Sequence, residues 1–201
     1  MNTPSSHPAP LPKAYRDDIR QAVEVMNRGG VILYPTDTIW GIGCDAANAA
    51  AVQRVYDIKH RADSKALIAL VDTEAKLQFY VRDIPEVAWD LIEVADKPLT
   101  IIYDGARNLA PNLIAADGSV ALRVTREAFS RELCQRMRRA IVSTSANISG
   151  QPSPQCFADI SDELLGAVDY VCTSRREERT NPPASSILRL GAGSEITILR
   201  P

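Results

Sequence analysis

Two histidines, His7 and His60, are all the imidazole this 201-residue chain has, and its four cysteines (44, 134, 156, 172) form no Cys-x-x-Cys pair. A zinc site draws its ligands from such residues at short spacing, so no metal site is expected. The thiols read instead as reduced, small apolar groups of a cytoplasmic protein. So little histidine also leaves no His-based dyad or triad in view. Neither a Gly-x-x-x-x-Gly-Lys-[Ser/Thr] loop nor a Gly-x-Gly-x-x-Gly turn occurs, so a bound nucleotide would need a different device. No apolar run approaches the ~18 residues of a membrane span. The N-terminus, with three prolines by Pro10, reads as a tail and not a signal peptide. An excess of one charge is missing as well. The net charge is −2, so any attraction for a polyanion must come from a local cluster.

What is present fits one globular domain: 45% hydrophobic and 24% charged residues, with enough length for a sizeable core. Residues 1–13 read as a disordered Pro/Ser-rich tail and 14–201 as a single domain. Ile19, Ala22, Val23 and Met26 recur at helical spacing, and Gly29-Gly30 stops that helix. Val31–Tyr34 reads as a buried strand ended by Pro35, and Trp40-Gly41-Ile42-Gly43 as a second one. Asn48 is placed to cap a helix carrying Val52, Val55 and Tyr56 and running out near Lys59. Further helices are expected over about 73–79, 85–94 (Pro85 at N1), 127–139 and near 162–165. Strands are expected at 67–71, 99–103, 120–124, 141–143, 170–172, 186–190 and 195–199, with an Arg-rich loop over 174–183. The last two strands form a hairpin through Gly191-Ala192-Gly193-Ser194. The class is α/β: an open, twisted, mixed parallel and antiparallel sheet surrounded by helices.

Three segments could carry chemistry. Lys59 and Arg61, with Lys65 beyond them, are either a cationic helix end or a phosphate clamp. Ser143-Thr144-Ser145-Ala146-Asn147 follows a strand directly and has no bulky side chain. It is either a turn that bonds its own backbone or a cradle of N–H groups and hydroxyls for phosphate or nucleotide. Pro35-Thr36-Asp37-Thr38 lies between two strands, which makes its hydroxyls poor candidates for helix caps.

Tyr34-Pro35-Thr36-Asp37-Thr38-Ile39-Trp40-Gly41-Ile42-Gly43 resembles the YPTET-x-YGLG signature of the YrdC/TsaC family, the threonylcarbamoyl-AMP synthases. Lys59-His60-Arg61 fits that family's KxR and Ser145-Ala146-Asn147 its SxN. Pro98-Leu99-Thr100, Ala121-Leu122-Arg123-Val124 and Ile198-Leu199-Arg200-Pro201 match further motifs, so the resemblance spans about residues 15 to 201. It implies a large, positively charged concave cavity and a nucleotidyltransferase. The enzyme would make threonylcarbamoyl-AMP and pyrophosphate from L-threonine, bicarbonate and ATP, with Mg2+ accompanying ATP. The product would serve t6A modification of tRNA by a threonylcarbamoyl-transferase complex, with weak, non-specific tRNA binding.

By the same resemblance, Lys59 and Arg61 would be catalytic and neutralise the triphosphate. Ser143, Ser145, Asn147 and Arg200 would complete the nucleotide site, and Thr36, Arg123 and Ser185 (or its neighbour Ser186) would hold threonine. Lys59 and Arg61 are expected to face solvent. Ala62 stands where many members have proline, Lys65-Ala66 and Leu70 where longer members have Asn-Pro and a histidine, and Trp40 for a tyrosine. The competing function is a non-catalytic, YciO-type binder of double-stranded RNA or tRNA, in which KxR and SxN are lost.

Overall fold

The computed structural model describes residues 11–60, 67–179, 184–191 and 195–201. The expected N-terminal tail therefore lies outside the described residues through residue 10. So do Arg61, Ala62, Lys65 and Ala66, and residues 192–194 of the C-terminal hairpin.

The chain opens with α1 (Lys13–Asn27), which buries Ile19, Ala22 and Met26 on one face. A hairpin of β1 (Ile32–Tyr34) and β2 (Gly41–Gly43) follows. In α2 (Ala49–Ile58) the Asn48 side chain accepts the Ala51 N–H at 3.1 Å, satisfying a donor the helix leaves unpaired. Next come β3 (Ile68–Val71), α3 (Leu77–Tyr80), α4 (Glu86–Val94), β4 (Leu99–Tyr103) and β5 (Val120–Val124). The second half holds α5 (Ala128–Met137), β6 (Ile141–Ser145), α6 (Asp162–Ala167), β7 (Tyr170–Val171), β8 (Ser186–Leu190) and β9 (Ile196–Arg200).

Several boundaries differ from the sequence expectation: β6 runs on through Thr144 and Ser145, which were expected in a loop, β9 lies one residue later, and three helical segments change as well. Pro85 is the N-cap of α4 and not its first helical residue. The segment near 73–79 splits into a 3₁₀ turn over Glu74–Lys76 and the single turn of α3. The α5 helix stops at Met137 because Arg138 turns left-handed, with φ 55°.

Among the described residues the strands form one sheet in the order β7-β1-β2-β6-β3-β5-β4-β8-β9. The β1/β7, β3/β5 and β4/β8 pairs are parallel and the others antiparallel, so the sheet is mixed. The β6 strand joins its halves: Thr144 and Ser145 pair with β2, while Ile141 to Ser143 pair with β3. Close approach at this seam requires Gly43, where a Cβ would stand 2.6 Å from both the Tyr34 ring and the Val142 carbonyl. The core includes Tyr34, Phe129 and Leu70, all with no exposed surface. Tyr15 of α1 meets the Phe129 ring of α5 edge-on at 5.6 Å, which closes one side of that core.

Candidate active site

The β-strand period places the site. Ser143, Ile68, Ala121 and Ile102 are register partners across β6, β3, β5 and β4, and all four line one cavity of about 260 Å³. Residues i and i+2 of a strand share a face, so Arg123 joins Ala121 on that cavity wall. The rim adds Thr144 and Ser145 from the end of β6, Thr36, Thr38, Ile39 and Trp40 from the β1–β2 loop with Gly41 of β2, Ser185 just before β8, and Arg200 of β9. Segments far apart in sequence converge here.

The Thr36 hydroxyl closes its own turn. It donates to the Ile39 carbonyl at 2.7 Å and accepts the Thr38 N–H at 3.0 Å. The loop is therefore an ordinary Ser/Thr turn in its bonding, and a cavity wall in its placement. Trp40 is nearly buried and packs against Phe157 at 4.9 Å, giving the rim an aromatic side.

Positive charge dominates the base of the cavity. Arg123 is only 4% exposed, and its Nη2 lies 2.9 Å from Asp37 Oδ1. Its Nε, however, has no hydrogen-bond partner. Burial pushes the Asp37 carboxyl above the usual carboxylate range, and Arg123 opposes that rise. Arg200 donates from Nε to the Ser185 carbonyl at 2.8 Å and from Nη2 to its hydroxyl at 3.2 Å. Burial and the neighbouring Arg123 guanidinium both lower the Arg200 pKa. Two like charges share a pocket that an anion would relieve. The Ser185 hydroxyl also lies 2.9 Å from Thr100 Oγ1, which fixes it between two strands.

Lys59 departs from expectation. It is 2% exposed and does not face solvent. Its ammonium donates to the carbonyls of Ser145 and Asn147 at 2.5 and 2.6 Å, and to Asn147 Oδ1 at 3.4 Å. Asn147 in turn donates to the Gln151 carbonyl at 2.6 Å. The KxR and SxN segments are thus joined by direct bonds. Neither Lys59 nor Asn147 lines that cavity; the two meet just past the end of β6. Leu70 sits in register with Arg123, fully buried, and does not reach the cavity either. Sequence reasoning passed over Asp37 and Thr100. The one signal for Asp37 was an acid between two threonines in a loop entered from a buried strand.

A family model described as telomere recombination, for the Sua5/YciO/YrdC domain, matches residues 24–201. The chain belongs to the Sua5/YciO/YrdC family. A protein of Pseudoalteromonas translucida named threonylcarbamoyl-AMP synthase is 33% identical over 167 residues, 82% of this chain and 89% of its own length. Among solved structures, P. abyssi Sua5 complexed with L-threonine matches with a TM-score of 0.85 at 25% identity, covering 96% of this chain. This family member spans just 55% of that Sua5 chain. The E. coli YciO crystal structure matches with a TM-score of 0.81 at 22% identity, covering 94% of this chain and 90% of its own, and shares the fold.

Proposed function

We propose that this chain is a nucleotidyltransferase making L-threonylcarbamoyl-AMP and pyrophosphate from L-threonine, bicarbonate and ATP. The observation that carries the reading is the buried Arg123 guanidinium, its Nε without a partner, facing a cavity shared with Arg200 and the hydroxyls of β6. A carboxylate seated there would fill that vacancy with a charge-assisted bond. Relatives named threonylcarbamoyl-AMP synthase, and a family member crystallised with L-threonine, support the assignment.

In this reading Arg123, Ser185 and the Thr36 turn hold threonine. Ser143, Ser145 and Arg200 take the nucleotide from the cavity wall, with its phosphates running past the end of β6 toward Asn147 and the catalytic charges of Lys59 and Arg61. Threonine's amine forms an N–C bond to the carbon of bicarbonate with loss of water, giving a carbamate. A carbamate oxygen then bonds to the α-phosphorus of the magnesium–ATP substrate. The bond from that phosphorus to the bridging oxygen breaks, and pyrophosphate leaves with the electron pair. Negative charge gathers on phosphate oxygens, so positioning and fixed positive charge carry the catalysis. No covalent side-chain nucleophile is needed.

Residues 14–201 would act as one domain in the cytoplasm, handing the adenylate to a transferase that modifies tRNA to t6A. No helix among the described residues is long and apolar enough to cross a membrane. Pyrophosphate release, measured with threonine and bicarbonate each present or omitted, tests the proposal. Release is expected only with both. Equal release without threonine would sink the synthase and return the chain to the ATPase or RNA-binder class, and no release under any condition would favour the non-catalytic YciO-type RNA binder.

A further inference from the structure

The Arg-rich loop after β7 holds a residue that the proposed chemistry leaves unused. Arg175 is a non-glycine residue at φ 64°, in the left-handed region that side chains avoid. Such a conformation persists only where the surroundings over-determine it, and here they do. Its guanidinium bonds to Glu178 at 2.8 and 2.9 Å, lies 3.1 Å from Glu127 at the start of α5, and donates to the Thr36 carbonyl at 3.1 Å. Three separate parts of the chain meet at one side chain that is 16% exposed. Arg175 stands behind the Thr36 turn, on the side away from the Arg123 cavity.

The peptide joining Thr36 to Asp37 is trans, so its C=O and N–H point in opposite directions. Pulling the Thr36 carbonyl toward Arg175 turns the Asp37 N–H the other way. That same plane carries the Asp37 Cα, so its orientation sets where the Asp37 carboxylate is aimed. That carboxylate, in turn, is the ion-pair partner of Arg123. A path therefore runs from the Glu127 and Glu178 carboxylates, through Arg175, one peptide plane and the Asp37 side chain it carries, to the Arg123 guanidinium. All three nitrogens of a fork that is both planar and permanently charged are engaged, which a lysine could not reproduce.

We propose that Arg175 is a positioning residue for the amino-acid substrate: it fixes the Thr36–Asp37 peptide, and through Asp37 it aims Arg123 at the substrate carboxylate. This rests on the assignment of Arg123 to threonine made above. Arg175 touches no reacting atom, and its effect is specific to one substrate. The nucleotide groups on β6 are reached by none of these bonds.

The experiment compares wild type with Arg175→Lys and Arg175→Gly. Glycine removes the fork yet suits φ 64°, so backbone strain gives it no reason to misfold. The KM for threonine is measured by pyrophosphate release, and ATP binding is measured separately by titration. In both variants KM for threonine is expected to rise roughly 3- to 30-fold, the span of a coupling carried through intermediates. ATP affinity and kcat should stay within about twofold of wild type, well inside that span. A threonine KM within twofold of wild type in a folded Arg175→Gly protein overturns the inference and leaves the synthase reading standing. Equal weakening of ATP and threonine also overturns it, because Arg175 would then act on the fold as a whole. A wild-type protein with no threonine-dependent release removes the synthase reading, and the inference with it.

Discussion

The Lys59 ammonium is held by the Ser145 and Asn147 carbonyls and almost closed off from solvent. A cation seated this way fastens the end of β6 to the end of α2, as the Ser149 N–H does again by donating to the Lys59 carbonyl at 2.9 Å. Replacing it by methionine keeps the stem but leaves buried carbonyls without their donor, which costs about 1–3 kcal/mol for each group stranded. At this chain length the melting temperature should fall by about 2–4 °C per kcal/mol. Lost phosphate stabilisation should lower pyrophosphate release by about 10- to 150-fold as well. Thermal melting and the release assay on Lys59→Met separate the two effects. A lowered melting point with wild-type turnover would reduce Lys59 to a structural tie. Nothing in the sequence distinguished these roles, because a lysine at a helix end has water as its default environment and only the tertiary fold removes it.

At the scale of elements, the β1–β2 hairpin and β6 must approach closely for the Thr36 turn and the Ser143–Ser145 hydroxyls to share a cavity. Gly43 permits it, with the Tyr34 ring and the Val142 carbonyl where a Cβ would go. Gly43→Ala should therefore force a shift of β1 against β6, at about 1–3 kcal/mol, the usual cost of overpacking. A denaturant midpoint unchanged by that substitution would show that the seam has slack. The elements themselves were largely legible, since periodicity, the Asn48 cap and the Gly29-Gly30 stop act within a few residues of one another. The turns were less so. Arg138 turns left-handed where a helix was expected to continue, and its basic neighbours match the favourable charge pattern of a longer helix. Family motifs marked Thr36, Arg123 and Ser185, yet the path from Arg175 to Asp37 depends on a loop conformation that no local pattern encodes.

At the scale of the whole molecule, the described residues form a nine-stranded sheet whose cavity brings Arg123 and Arg200 together in a chain of net charge −2. The strand order was not legible, because pairing β2 with β6 and β3 with β5 joins segments about 50 to 100 residues apart through contacts that only a folded core rewards. That arrangement bears on tRNA. Arg123 is buried and the exposed Arg200 is tied to Ser185, so the two do not form a phosphate track for a duplex. Binding of tRNA should then be weak, indifferent to sequence and steeply reduced by salt. Its slope should correspond to a few phosphate contacts, below the ~6–10 of a dedicated nucleic-acid binder. Because the polar groups converge on a small-molecule cavity, the adenylate should form with no tRNA present. Titrating labelled protein with tRNA at two ionic strengths, alongside synthesis with and without tRNA, checks both expectations. Tight, salt-resistant and sequence-selective binding, or synthesis that requires tRNA, would move the functional surface out of the cavity and onto the exterior of the sheet.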